Sequence, residues 1–173
     1  MTRPDAAPFS RPVPVASLPP EGFDVKVEAT PEECAAVARQ FGLPAIHALS
    51  GRYHLKGSEF RVAVTGRVTA SVAQTCVVSL DDFDSVVEEE VEVDFAVEGA
   101  NAFGVTADVG GDPPDPIVDG RVDLGALTAE FLALGLDPHP RKPGASFAPD
   151  RTEEGVSPFA DLARWKTRAE RKP

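Results

Sequence analysis

Apolar and polar side chains alternate along residues 60–72. Phe60, Val62, Val64, Val68, Ala70 and Val72 share one side; Arg61, Thr65, Arg67, Thr69 and Ser71 share the other. A period of two is the pattern of a half-buried strand. The phase is unbroken across Gly66. A two-residue hairpin centred on Thr65-Gly66 would pair Val64 with Arg67 and mix the two sets, so the pattern predicts a bent continuous strand, or an odd-length loop, at Gly66. After a turn over 79–83, "VVEEEVEVDFAVE" alternates again, with Val91, Val93, Phe95 and Val97 inward and Glu90, Glu92 and Asp94 outward. The two long strands are expected to pair antiparallel around the corner at 76–83.

Upstream, "VPVASL" and "FDVKVEA" predict short strands separated by a Pro19-Pro20-Glu21-Gly22 turn. "TPEECAAVARQFGL" predicts a helix: Thr30 caps it, Pro31 takes the first helical position, Glu32 and Glu33 complement the dipole, and Gly42 closes it. Cys34, Val37, Ala38 and Phe41 fall on one stripe, which makes Cys34 a core residue. "IVDGRVDLGALTAEFLALGL" predicts a short strand and then a helix capped by Asp123, with Leu124, Leu127, Phe131 and Leu134 as the buried stripe and Gly125 tolerated in the first turn. Residues 99–116 are expected to form a loop. "SPFADLARWKTRAERKP" predicts a short basic amphipathic helix capped by Ser157, carrying Phe159, Leu162 and Trp165 at spacings of three.

These elements predict an α+β fold: an antiparallel sheet, open or barrel-like, with two packed helices and a tethered C-terminal helix. With 173 residues and 42% hydrophobic content, the chain suits one medium domain with tails. We expect a flexible proline-rich arm over 1–12, the α+β core over 13–140, a linker over 141–156 and the basic helix or tail over 157–173. Its stretches lack any apolar run long enough to span a bilayer, and the N-terminus lacks the order of a secretory signal. A cytoplasmic protein is expected, with both cysteines, Cys34 and Cys76, as thiols.

Charge sharpens the picture. The net charge of −11 argues against the whole chain gripping a phosphate backbone and favours a basic protein as partner. Residues 80–98 carry nine acids and no base, whereas Arg164, Lys166, Arg168, Arg171 and Lys172 crowd the C-terminus. The acid run is first of all a solvated sheet face; as a functional surface it offers Glu90, Glu92 and Asp94 to a basic partner. Trp165 between Arg164 and Lys166 suits RNA contact by charge and stacking, or docking of Phe159, Leu162 and Trp165 on the core. Arg141 and Lys142 form a second basic spot with the same two readings.

Catalytic patterns are missing from the sequence. His47, His54 and His139 lie in strand-like or proline-rich surroundings, and no serine or cysteine sits in a G-x-S-x-G or papain-like context. Neither a P-loop nor a dinucleotide fingerprint is present. Asp81-Asp82 and Glu88-Glu89-Glu90 lack the supporting His or Asn that a divalent-ion or acid/base site would use. Two cysteines alone do not make a structural zinc site. No enzyme activity, cofactor or metal is expected.

The order of features, a β-rich half ending in "TCVVSLDDF", then "VDLGALTAEFLALGLDPHPRKPGASF" and a final "SPFADLARWK", resembles the bacterial YceD family, in a form similar to that of alphaproteobacteria, over about residues 13–167. Residues 122–145 and 157–166 carry the most specific parts. Many members have C-x-x-C at this corner, a pattern that suggests an ancestral metal knuckle. Here Cys76 stands with Ser79, so a full thiolate site is not available and the corner resembles a degenerated one. The resemblance implies a non-enzymatic role in accumulation of large-subunit ribosomal RNA, exercised on a ribosomal precursor, a basic ribosomal protein or an assembly factor. The rivals are a generic acidic adaptor for a basic protein and a metal-dependent RNA-processing enzyme.

Overall fold

Thr30 begins the first helix as its sequence dictates. Its hydroxyl accepts from the Glu33 N–H at 3.3 Å and the Glu33 carboxylate accepts from the Thr30 N–H at 2.8 Å, a reciprocal capping box with Pro31 at the first turn. Gly42 closes the helix at φ 67°. The computed structural model describes residues 7–19, 21–97 and 113–146. In chain order these form β1 (Pro12–Pro14), a single 3-10 turn (Val15–Ser17), β2 (Phe23–Glu28), α1 (Pro31–Phe41), β3 (Ala45–Gly57), β4 (Arg61–Thr75), β5 (Asp82–Ala96), β6 (Asp115–Pro116), β7 (Arg121–Asp123) and α2 (Leu124–Gly135).

The architecture is α+β. Five strands lie in the order β2-β3-β4-β5-β6, antiparallel except for the short β5–β6 pair, and β1 and β7 form a separate two-stranded ribbon. The five-stranded sheet is open and does not close into a barrel. Both helices add to one buried cluster on one face, where Val37 and Ala38 of α1 and Leu124, Leu127 and Leu132 of α2 meet Leu49, Tyr53 and Leu55 of β3, Val62, Val64, Val68 and Val72 of β4, and Val87 and Val91 of β5. The predicted tethered C-terminal helix lies outside the described residues.

Gly66 does not interrupt β4, which pairs with β5 in one unbroken register from Arg61↔Ala96 to Thr75↔Asp82. Glycine is needed there for close approach. Tyr53 sits directly opposite on β3, and a Cβ at Gly66 would lie 2.8 Å from its ring and overlap the Arg52 carbonyl oxygen. Tyr53 also lies over Gly51. One aromatic ring thus fills the inner-face space that two glycines leave empty.

Several expectations need correction. "VPVASL" is only half strand: prolines in β1 cannot donate to a ladder, and the chain turns into the 3-10 segment after Pro14. The arm expected over 1–12 is docked from residue 7 onward. Phe9 is fully buried, Arg11 binds Glu33 through both guanidinium nitrogens at 2.7 and 2.8 Å, and Ser10 and the Arg11 N–H donate to the Asp123 carboxylate. That docking makes Gly125 necessary, because a Cβ there would come within 2.8 Å of the Ser10 and Arg11 backbone. The buried face of α2 is wider than the predicted stripe and includes Gly125, Thr128, Ala129 and Leu132, while Leu134 of that stripe is 71% exposed. Phe60 and Val97, expected inward, sit just past the ends of β4 and β5; Phe60 is 50% exposed, and the Val97 N–H donates to its carbonyl at 3.0 Å.

Candidate interaction surface

β5 builds this surface because its alternation holds without a bulge. Val87, Val91 and Phe95 go into the core; Glu88, Glu90 and Glu92 are exposed and Asp94 half-buried on the opposite face. The structure thus brings Glu90, Glu92 and Asp94 together as expected. Their electrostatics differ from a plain acidic strip. Arg67 of β4 sits directly opposite Glu90, with Nη2 3.0 Å from its carboxylate and Nη1 3.9 Å from that of Glu88. Arg61 reaches Asp94 at 2.6 Å. Among the described residues, Glu92 has neither a cation nor a hydrogen-bond donor against its carboxylate.

The rest of that sheet face carries a row of cations, with Asp24 and Glu28 at the β2 edge. Lys26, Arg52 and Arg67 stand side by side in one cross-strand row that ends at Glu90. Lys26 pairs with Glu28 at 2.5 Å, and His54 with Asp24 at 2.8 Å. The face is therefore bipolar, with cations over β2–β4 and carboxylates along β5. Arg61 and Arg67, which the functional reading of the sequence left out, were visible in the same alternation; their role emerges once the register places them opposite acids.

At the far end of β5 lies the Cys76 corner. Cys76 is fully buried, and its Sγ accepts from the Val78 and Ser79 N–H groups at 3.4 Å each. Ser79, through its hydroxyl and its N–H, then the backbone N–H of Lys142 and that of Val78, bring the thiol down to about 6 against the opposing effect of burial. The 137–146 strap folds back onto this corner: the Val77 N–H donates to the Pro140 carbonyl at 2.9 Å, and Lys142 Nζ lies 3.4 Å from Asp81. Lys142 is thereby tied to the corner, while Arg141 is exposed beside it. Neither joins the acid strand as one site. Leu80 closes the turn at φ 61°, its side chain 78% exposed.

Ser79 supplies a hydroxyl where a second thiolate would stand in a C-x-x-C corner. Among the described residues no group of three His, Cys, Asp or Glu side chains converges to hold a metal ion, and no helix is long and apolar enough to cross a membrane. Phe159, Trp165 and Lys166 lie outside the described residues. No family model, curated protein or solved structure matches the chain.

Proposed function

We propose that this protein is a non-enzymatic accessory factor in ribosome biogenesis, promoting accumulation of large-subunit ribosomal RNA by binding a basic ribosomal protein or assembly factor. The observation that carries the binding role is the carboxylate ladder of β5, ordered by an unbroken strand and set on an exposed face. Arg61 and Arg67 satisfy Asp94 and Glu90 from one side, which lets acids stand at every second position from Glu88 to Asp94 without full mutual repulsion. Their other side, and Glu92 entirely, is left to a partner. The ribosomal assignment rests on the resemblance of residues 122–145 and 157–166 to the YceD family. The cations over 164–172 suit a supporting contact with RNA phosphates.

Depletion of the protein tests this reading. The ratio of large- to small-subunit ribosomal RNA should fall and recover when the intact chain is restored. An unchanged ratio on complete depletion would leave the acidic-adaptor reading in its place, and crosslinked partners would then include no ribosomal protein or assembly factor.

A further inference from the structure

Among the described residues β5 has an unpaired edge as well as an acidic face, and at one end of that edge Pro113 and Pro114 line a cavity with Glu92, Val93 and Asp94. From Asp82 to Asp94 its only strand partner among the described residues is β4; β6 joins it solely at Phe95 and Ala96. The hydrogen bonds at the strand end show which groups face that edge. The Ala96 carbonyl accepts from the Ile117 N–H on the β6 side at 2.9 Å, whereas the Val97 N–H and the Asp81 carbonyl bond toward the β4 side. Backbone groups alternate sides along a strand as side chains alternate faces. With no register shift in β5, the even-numbered residues are therefore the ones whose N–H and C=O groups point out from the free edge. Among them are Glu88, Glu90, Glu92 and Asp94, whose carboxylates lie on the outer face; Asp82, Asp84 and Val86 share the same phase.

We propose that the β5 edge takes an extended basic segment of the partner protein as an added antiparallel strand, with Lys or Arg at every second position opposite Glu88, Glu90 and Glu92. In that pairing each acid gives the incoming residue two backbone hydrogen bonds and a carboxylate on the same face, so sequence period and charge are recognised together. Charge complementarity selects the occupant. A second copy of this strand would set acid against acid, and an apolar strand would find no pairing for the carboxylates. This deepens the reading of the protein as a binder of basic partners by naming the mode of binding.

A labelled heptapeptide, Lys-Val-Lys-Thr-Lys-Val-Lys, added to the full chain tests the pairing. It should bind at least about tenfold more tightly than the same peptide N-methylated at its lysine amides, which keeps the charge and removes the hydrogen bonds. The order-scrambled peptide with its lysines in one block should bind as weakly as the methylated form. Binding should slow hydrogen exchange at Glu88, Glu90 and Glu92, and Glu88→Gln, Glu90→Gln and Glu92→Gln together should abolish it. Equal binding of the methylated peptide would overturn the proposal and reduce the ladder to a charged surface. Binding seen only when Arg164, Lys166 and Arg168 are changed to Glu would also overturn it, by showing that the chain's own basic segment holds the edge. The ribosomal RNA ratio reads the function separately: a ratio that depends on the protein while the peptide fails to pair removes the mode and leaves the function.

Discussion

The Tyr53 phenol oxygen lies 2.7 Å from Thr128 Oγ1, a buried hydrogen bond that joins β3, an interior strand of the sheet, to α2. Thr128 in turn donates to the Leu124 carbonyl at 2.6 Å, so the Tyr53 hydroxyl is the donor to Thr128. Burial, partly offset by this bond, pushes the phenol up to about 12. The folded state favours the neutral form, so the group's stabilisation is full below its ordinary value of 10.0 and is lost as pH rises toward about 12. Tyr53 is the only tyrosine in the chain. Its tyrosinate absorbance should rise only near that higher value, or together with alkaline unfolding; a rise at the ordinary value in folded protein would contradict the buried bond.

Gly66→Ala should destabilise the fold by about 3 kcal/mol, because the new methyl meets the Arg52 carbonyl and the Tyr53 ring with no flexible neighbour to yield. Urea unfolding measures it. An unchanged midpoint would mean the ring does not lie across Gly66.

The Arg11 guanidinium and the Thr30 N–H hold the Glu33 carboxyl down to about 2, from an ordinary value of 4.5. A lowered acid stabilises the fold above its unfolded value and loses that contribution as pH falls through the folded one. Wild-type stability should therefore drop between these two values. Glu33→Gln should flatten that part of the profile and cost roughly 1–2 kcal/mol at neutral pH, through the capping box and the bidentate pair. A parallel drop in both proteins would place the acid sensitivity elsewhere.

Cys76→Ser should leave partner binding intact and cost less stability than Cys76→Val. Serine keeps an acceptor for the Val78 and Ser79 N–H groups, whereas valine leaves these two part-buried donors without it, at a cost of about 1 kcal/mol. Denaturant midpoints of the two variants give the comparison. Loss of binding in a folded Cys76→Ser protein would assign the thiol a role beyond shaping the corner.

Sequence pattern reached the helix caps, the long β4–β5 pair and the outward acids because each rests on local chemistry: Thr30 with Glu33, Asp123 with the first turn of α2, and strict alternation across Gly66. It assigned no element to 45–57, which is β3. There the register shifts between Ile46 and Ala48 and Gly51 occupies an inward position, so the period is blurred. The docked segment at Phe9 and the exposed Leu134 were invisible for a different reason. The first follows from packing against Asp123 and Gly125 more than 100 residues away from Ser10, and the second from which face of α2 the sheet covers, where Thr128 meets Tyr53. For the candidate surface, alternation gave the acids and their face, but the free edge and the arginines that share their charge needed the strand order.

The most direct test of the central claim is rescue of depleted cells by a full chain carrying Glu88→Gln, Glu90→Gln and Glu92→Gln, with the ratio of large- to small-subunit ribosomal RNA as the readout and its soluble level checked against wild type. The account predicts a ratio that stays low although the protein is folded and present. A ratio restored to the wild-type value would contradict it and move partner binding away from β5.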